Sequence, residues 1–104
     1  MTMLTFVESS LFARHVYDLL SEEEYADLQW HLASTPDAGD VIRGSGGIRK
    51  LRWAAKGKGK RGGVRVIYYW HDEEGEIWLL TVYAKNEEDT LPTALLKKLC
   101  EKFK

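Results

Sequence analysis

The chain of 104 residues has one cysteine and two prolines, and between Val41 and His71 it has not a single aspartate or glutamate. Each shortage excludes something. Cys100 alone can form no internal disulfide, whereas a small secreted domain is normally stapled by several, so a reducing cytoplasm is expected. One cysteine also removes multi-cysteine zinc sites, and His15, His31 and His71 lack ligand spacing among themselves. No metal and no cofactor is expected. No apolar run approaches the length of a membrane span, and the start MTMLTFVESS lacks the basic and then long apolar pattern of a signal peptide. A soluble protein with no membrane partner is the expectation.

What is present is ordinary in sum and uneven in distribution. With 44% hydrophobic, 12% aromatic and 30% charged residues, the composition fits a folded protein rather than a disordered or fibrous one. The length is that of one domain, 1–104. The net charge of −1 argues at face value against nucleic acid as a partner. Yet 41–71 carries nine basic residues: Arg43, Arg49, Lys50, Arg52, Lys56, Lys58, Lys60, Arg61 and Arg65. The remaining 73 residues hold six basic and 16 acidic ones, a net of −10. That segregation is the first functional signal.

Leu4 to Val7 reads as a short strand. Ser9 or Ser10 then caps a helix whose Leu11, Phe12, His15, Val16, Leu19 and Leu20 fall on one face. Ser21 with Glu24 forms a capping-box pattern for a second helix through about Ser34, with Tyr25, Leu28 and Leu32 as its apolar stripe. The turn-forming Thr35 to Asp40 ends it. Ile48 to Ala54, Val64 to His71 and Ile77 to Ala84 read as three antiparallel strands, the first two joined by the basic loop 56–63 and the last two by Asp72 to Gly75. From Leu91 a final helix places Leu95, Leu96, Leu99, Cys100 and Phe103 at helical spacing. The expected fold is α+β, a small antiparallel sheet flanked by helices in the order β-α-α-β-β-β-α.

Strand alternation turns Lys50 and Arg52 away from Arg49 and Leu51, and puts Arg65 on a face with Ile67 and Tyr69. Buried, unpaired cations are costly, so these side chains should end at a wet surface. A face collecting Lys50, Arg52 and Arg65 is an anion site by default. The alternating Gly-Lys loop could follow a phosphate backbone, and Trp53, Tyr68, Tyr69 and Trp70 interleave with the block, as where bases stack.

Blander readings exist for each feature. Lys56, Lys58 and Lys60 also suit a solvated loop. The four tryptophans suit core packing, which a small domain needs. His15 reads as a spacer on an apolar stripe, His71 as a turn residue and Cys100 as an inert core thiol. The glycines at 57, 59, 62 and 63 match no nucleotide-binding loop, since the Walker spacing and a following helix are both missing.

The order β-α-α-β-β-β-α and three segments, Gly-Ile-Arg-Lys-Leu-Arg-Trp (47–53), Gly-Val-Arg-Val-Ile-Tyr-Tyr (63–69) and Leu-Leu-Thr-Val-Tyr-Ala-Lys-Asn (79–86), together carry a likeness. With them the chain resembles the RelE/HigB toxins of bacterial type II toxin–antitoxin systems, within the RelE/ParE superfamily. The likeness spans essentially the whole chain and is most specific in 41–88. The Gly-Asp-Val-Ile start (39–42) and the Tyr-Ala-Lys-Asn-Glu end (83–87) bring it closest to the HigB branch.

The resemblance implies a ribosome-dependent, metal-independent endoribonuclease that cuts messenger RNA in the ribosomal A site and inhibits translation. In such enzymes the RNA's own 2′-hydroxyl attacks, leaving a cyclic phosphate and a 5′-hydroxyl, so a proton acceptor, a proton donor and transition-state cations are needed. No carboxylate lies in the basic strands and loop, and their one histidine, His71, ends the second strand as a turn residue, so acid–base work would fall to lysine or tyrosine. Crowded like charges lower a lysine's pKa toward a useful range. By the likeness, Arg65 holds the transition-state phosphate; Lys50 and Arg52 supply the base and a phosphate contact; Lys85 is a general acid or third cation; Tyr83 orients the ribose or stacks on a base. Arg49, Lys56, Lys58, Lys60 and Arg61 would bind RNA. RelE has an arginine directly after the matching lysine, where this chain has Asn86, and the histidines of some HigB members are unmatched.

Implied partners are the ribosome, mRNA and a HigA-like helix-turn-helix antitoxin, with operator DNA reached only through that antitoxin. The acidic, apolar helices at 10–34 and the last helix offer it surfaces. The implied location is the bacterial cytoplasm. Two other readings share the scaffold: a ParE-like inhibitor of DNA gyrase, and a noncatalytic RNA-binding domain.

Overall fold

The computed structural model describes residues 4–54, 63–85 and 91–103. Its elements run β1 (Thr5–Glu8), α1 (Ser10–Leu19), α2 (Glu22–Ser34), β2 (Asp40–Val41), β3 (Arg49–Trp53), β4 (Val64–His71), β5 (Glu76–Ala84) and α3 (Thr93–Glu101). This is the expected α+β order with a two-residue strand, β2, added. Lys56, Lys58, Lys60 and Arg61 lie outside the described residues.

The sheet has five strands in the order β1-β5-β4-β3-β2. It is mixed rather than wholly antiparallel, because β1 runs parallel to β5. A parallel neighbour needs a long crossover, and the whole segment from α1 to β4 intervenes. The strand β2 was not read from the sequence. It forms because Gly44, Gly46 and Gly47 take positive φ and turn the chain back, while Ser45 Oγ accepts from the Ile48 amide at 2.9 Å and the Ile42 amide donates to the Ile48 carbonyl at 2.7 Å.

Side-chain caps set the helix starts. Ser9 Oγ accepts from the Phe12 amide at 3.0 Å and donates to the Leu80 carbonyl at 2.6 Å, so the cap of α1 is also its anchor to the sheet. In α2 the predicted capping box is formed: the Glu24 amide donates to Ser21 Oγ at 3.1 Å, and the Ser21 amide to Glu24 Oε1 at 2.9 Å. Glu22, Glu23 and Glu24 occupy the first turn, where the helix dipole favours negative charge.

Each face of the sheet has its own apolar core. Phe12 and Val16 of α1, Leu20 just after it, and Leu28 and Leu32 of α2 cover Leu51, Val64, Val66, Tyr68, Leu79 and Val82. On the other face, Leu96 and Cys100 of α3 cover Ile48, Ile67, Trp78 and Leu80. A nine-residue helix is about 13 Å long and shields only part of a five-stranded sheet. The sequence fills the uncovered part with cations. No helix among the described residues is long and apolar enough to cross a membrane.

A candidate anion site on the open sheet face

Register decides which basic residues meet. Arg52 lies opposite Arg65 in the β3–β4 ladder, and Arg65 opposite Tyr83 in the β4–β5 ladder. One row across three strands therefore carries Arg52, Arg65 and Tyr83. The next row carries Lys50 opposite Ile67 and Ile67 opposite Thr81, on the same face by alternation. Lys85 continues the Thr81–Tyr83 alternation just past the strand, exposed, its amide donating to the Gly63 carbonyl at 3.1 Å.

Two arginines directly opposite one another repel, so the fold gains nothing from this pairing. An anion between them would reverse the sign. Arg52 is exposed, while Lys50 and Arg65 are half-buried with their stems along apolar surface. The Arg65 Nη1 donates to the Val64 carbonyl at 3.3 Å. Lys50, Arg52 and Arg65 share a groove of about 550 Å³ whose other walls are Ala38, Asp40, Val41, Ile42 and Leu51.

Of the proposed RNA contacts, Arg49 does not join this group. Alternation sends it to the helix-covered face, where Nη1 donates to the Gly39 carbonyl at 2.8 Å and the Asp37 carbonyl at 3.3 Å. It fastens the α2–β2 loop. The aromatics that interleave with the basic block also lie elsewhere. Trp53, Tyr68 and Trp70 pack with the α1–α2 core, Trp53 with its ring 5.2 Å from that of His31. Tyr69 packs on Trp78, ring centroids 5.2 Å apart, beside the core under α3. Parity thus keeps Trp53, Tyr68 and Trp70 from stacking at the cationic face, while Tyr69, on that face, is packed on Trp78. Tyr83 alone among the aromatics named here stands in the cationic row.

One residue of the groove was missed. Asp40 lies directly opposite Lys50 in the β2–β3 pair and therefore points to the cationic face. Its backbone is tightly determined. The Gly39 amide donates to the Tyr68 hydroxyl at 2.9 Å, and that hydroxyl donates to the Pro36 carbonyl at 2.7 Å. A Cβ at Gly39 would come within 2.9 Å of Tyr68 and 3.0 Å of the Lys50 carbonyl, so only glycine allows β2 this close. Burial raises the Tyr68 phenol's pKa, keeping it a donor. The signal was in the sequence: three glycines between Ile42 and Ile48 imply a turn that folds Asp40 back onto Lys50.

No family model matches the chain. Among solved structures, a doubly substituted form of the E. coli toxin RelE in the free state is similar over 98% of this chain and 99% of that one, at 15% identity and a TM-score of 0.65. The RelBE2 toxin–antitoxin complex from Mycobacterium tuberculosis matches 80% of this chain, and 99% of the matched chain, at 20% identity and a TM-score of 0.59. The fold is thus RelE-like.

Proposed function

We propose that this chain is the toxin of a type II toxin–antitoxin pair, of the HigB branch, and that it cleaves messenger RNA in the ribosomal A site without a metal. The observation that carries the reading is the Arg52–Arg65–Tyr83 row on the part of a RelE-like sheet face that α3 leaves uncovered among the described residues. A phosphate seated between the two guanidiniums is held by charge-assisted, bidentate hydrogen bonds.

In this reading Arg65 stabilises the charge that develops on the phosphorane oxygens, with Arg52 opposite it. Lys50, in the neighbouring row, accepts the proton of the 2′-hydroxyl as that oxygen attacks phosphorus. Lys85 returns a proton to the departing 5′-oxygen, and Tyr83 sits against the ribose or base. The products are a 2′,3′-cyclic phosphate and a 5′-hydroxyl. The basic loop residues Lys56, Lys58, Lys60 and Arg61 contact flanking RNA, and Arg49 acts on the site indirectly by fixing the 37–40 loop. A HigA-like helix-turn-helix antitoxin silences the toxin in the bacterial cytoplasm and carries the complex to operator DNA. The similarity to a chain of a toxin–antitoxin complex supports a partner of this kind.

Purified chain added to ribosomes programmed with a defined message tests the reading. Cleavage within the A-site codon, lost in Arg65→Ala, is expected. An intact message together with inhibition of gyrase supercoiling would replace it with the ParE-like alternative.

A further inference from the structure

Among the described residues, Asp40 is the one carboxylate in the wall of a groove whose charged side chains are otherwise Lys50, Arg52 and Arg65. It complements Lys50 across the β2–β3 pair, yet it repels the phosphate that the cations of the groove attract. Its position is nonetheless fixed from three directions, by the Lys50 pairing, by Arg49 and Tyr68 on Gly39, and by the close approach that Gly39 permits.

Strand spacing says what it can reach. Asp40 and Arg65 are separated by β3, hence by about 10 Å across the sheet, and by a further row along it. Arg52 is its diagonal neighbour across β2–β3, so the carboxylate stands on the Arg52 side of a phosphate held between Arg52 and Arg65, away from Arg65. From there it is placed to reach what lies beyond that phosphate, one sugar away, the edge of a base. Ile42, two residues on from Asp40 and on the same face by alternation, lines the same groove and offers an apolar surface to a base's face.

Carboxylates only accept hydrogen bonds. Guanine presents two adjacent donors, its ring N–H and exocyclic amine, in the spacing a carboxylate accepts; adenine and cytosine each present an exocyclic amine. Uracil presents one N–H flanked by two carbonyl oxygens that repel a carboxylate. Resting on the RNA-cleaving reading above, we infer that Asp40 is a specificity-determining residue that reads the base beside the bound phosphate, favouring guanine and disfavouring uracil.

The test uses the full chain and ribosomes programmed with an A-site codon varied one base at a time, reading initial cleavage rates. At one codon position the wild-type chain should cut guanine about tenfold faster than uracil, the discrimination expected of a hydrogen bond to a charged group. Asp40→Asn, which can both donate and accept, and Asp40→Ala should each bring that ratio to within about twofold while still cutting. Far-ultraviolet circular dichroism checks that both variants fold. Cleavage without base preference, or a change by one common factor at all codons, overturns the role of Asp40 and leaves the nuclease reading standing. Failure to cut any codon removes that reading and the inference with it.

Discussion

Arg52 and Arg65 face each other directly across the β3–β4 ladder, two like charges where a sheet ordinarily places a complementary pair. Removing either one relieves repulsion. Arg52→Ala, at the exposed member of the pair, is therefore expected to unfold at the same denaturant concentration as the wild type or higher, by up to about 1 kcal/mol. Toxicity should vanish in Arg65→Ala. A strongly destabilised Arg65→Ala would make the residue structural, and a fully toxic one would remove it from the site.

Tyr68 holds the loop that carries Asp40. Its hydroxyl is buried, accepting from the Gly39 amide and donating to the Pro36 carbonyl. Tyr68→Phe leaves both groups without that partner and should cost about 1–3 kcal/mol. Hydrogen exchange should quicken at the Gly39 amide while the α1 amides keep their protection relative to global stability. Unchanged exchange at Gly39 would contradict this role.

Gly63 and Gly44 have nearly the same backbone, φ +75° and +76°, in different surroundings. A Cβ at Gly63 would lie 2.1 Å from the Trp53 carbonyl oxygen, whereas none would meet anything within 4 Å at Gly44. Gly44→Ala should cost about 1 kcal/mol, the strain of a left-handed alanine alone. Gly63→Ala must also force β3 from β4 and should lose well over 2 kcal/mol. Equal denaturation midpoints for the two variants would contradict the packing described around Gly63.

Alkaline pH should unfold the protein through two phenols. Burial raises the pKa of Tyr25, with the hydrogen-bonded Glu8 carboxylate adding to it, and burial likewise raises that of Tyr68. A phenol with a raised pKa in the folded state favours folding below its ordinary value, and that contribution is lost as pH climbs toward the folded value. Thermal stability should hold up to about pH 10 and fall above it. Tyr25→Phe should flatten the fall; an unaltered slope would exclude Tyr25 from it.

Local chemistry made most of the fold legible. Ser9, Ser21 with Glu24, and the β-branched run of β4 each fix an element through neighbours a few residues away, and the structure shows those elements where the sequence places them. Long-range pairing was harder to read. The parallel β1–β5 ladder joins residues about seventy positions apart, and no periodicity records it. In the site, strand parity put Lys50, Arg52 and Arg65 together and excluded Arg49. Parity also moves Trp53 and Tyr68 to the helix face, which the interleaving of aromatics with cations in the sequence conceals. Asp40 is concealed in the sequence because it stands one residue before the acid-free segment, and only the glycine turn folds it onto Lys50.

Primer extension on cellular messages after brief induction of the chain, beside the Arg65→Ala variant, tests the central claim most directly. New ends inside translated codons with the wild type, absent with Arg65→Ala at equal protein level, are the predicted result. Growth arrest with intact messages would contradict it.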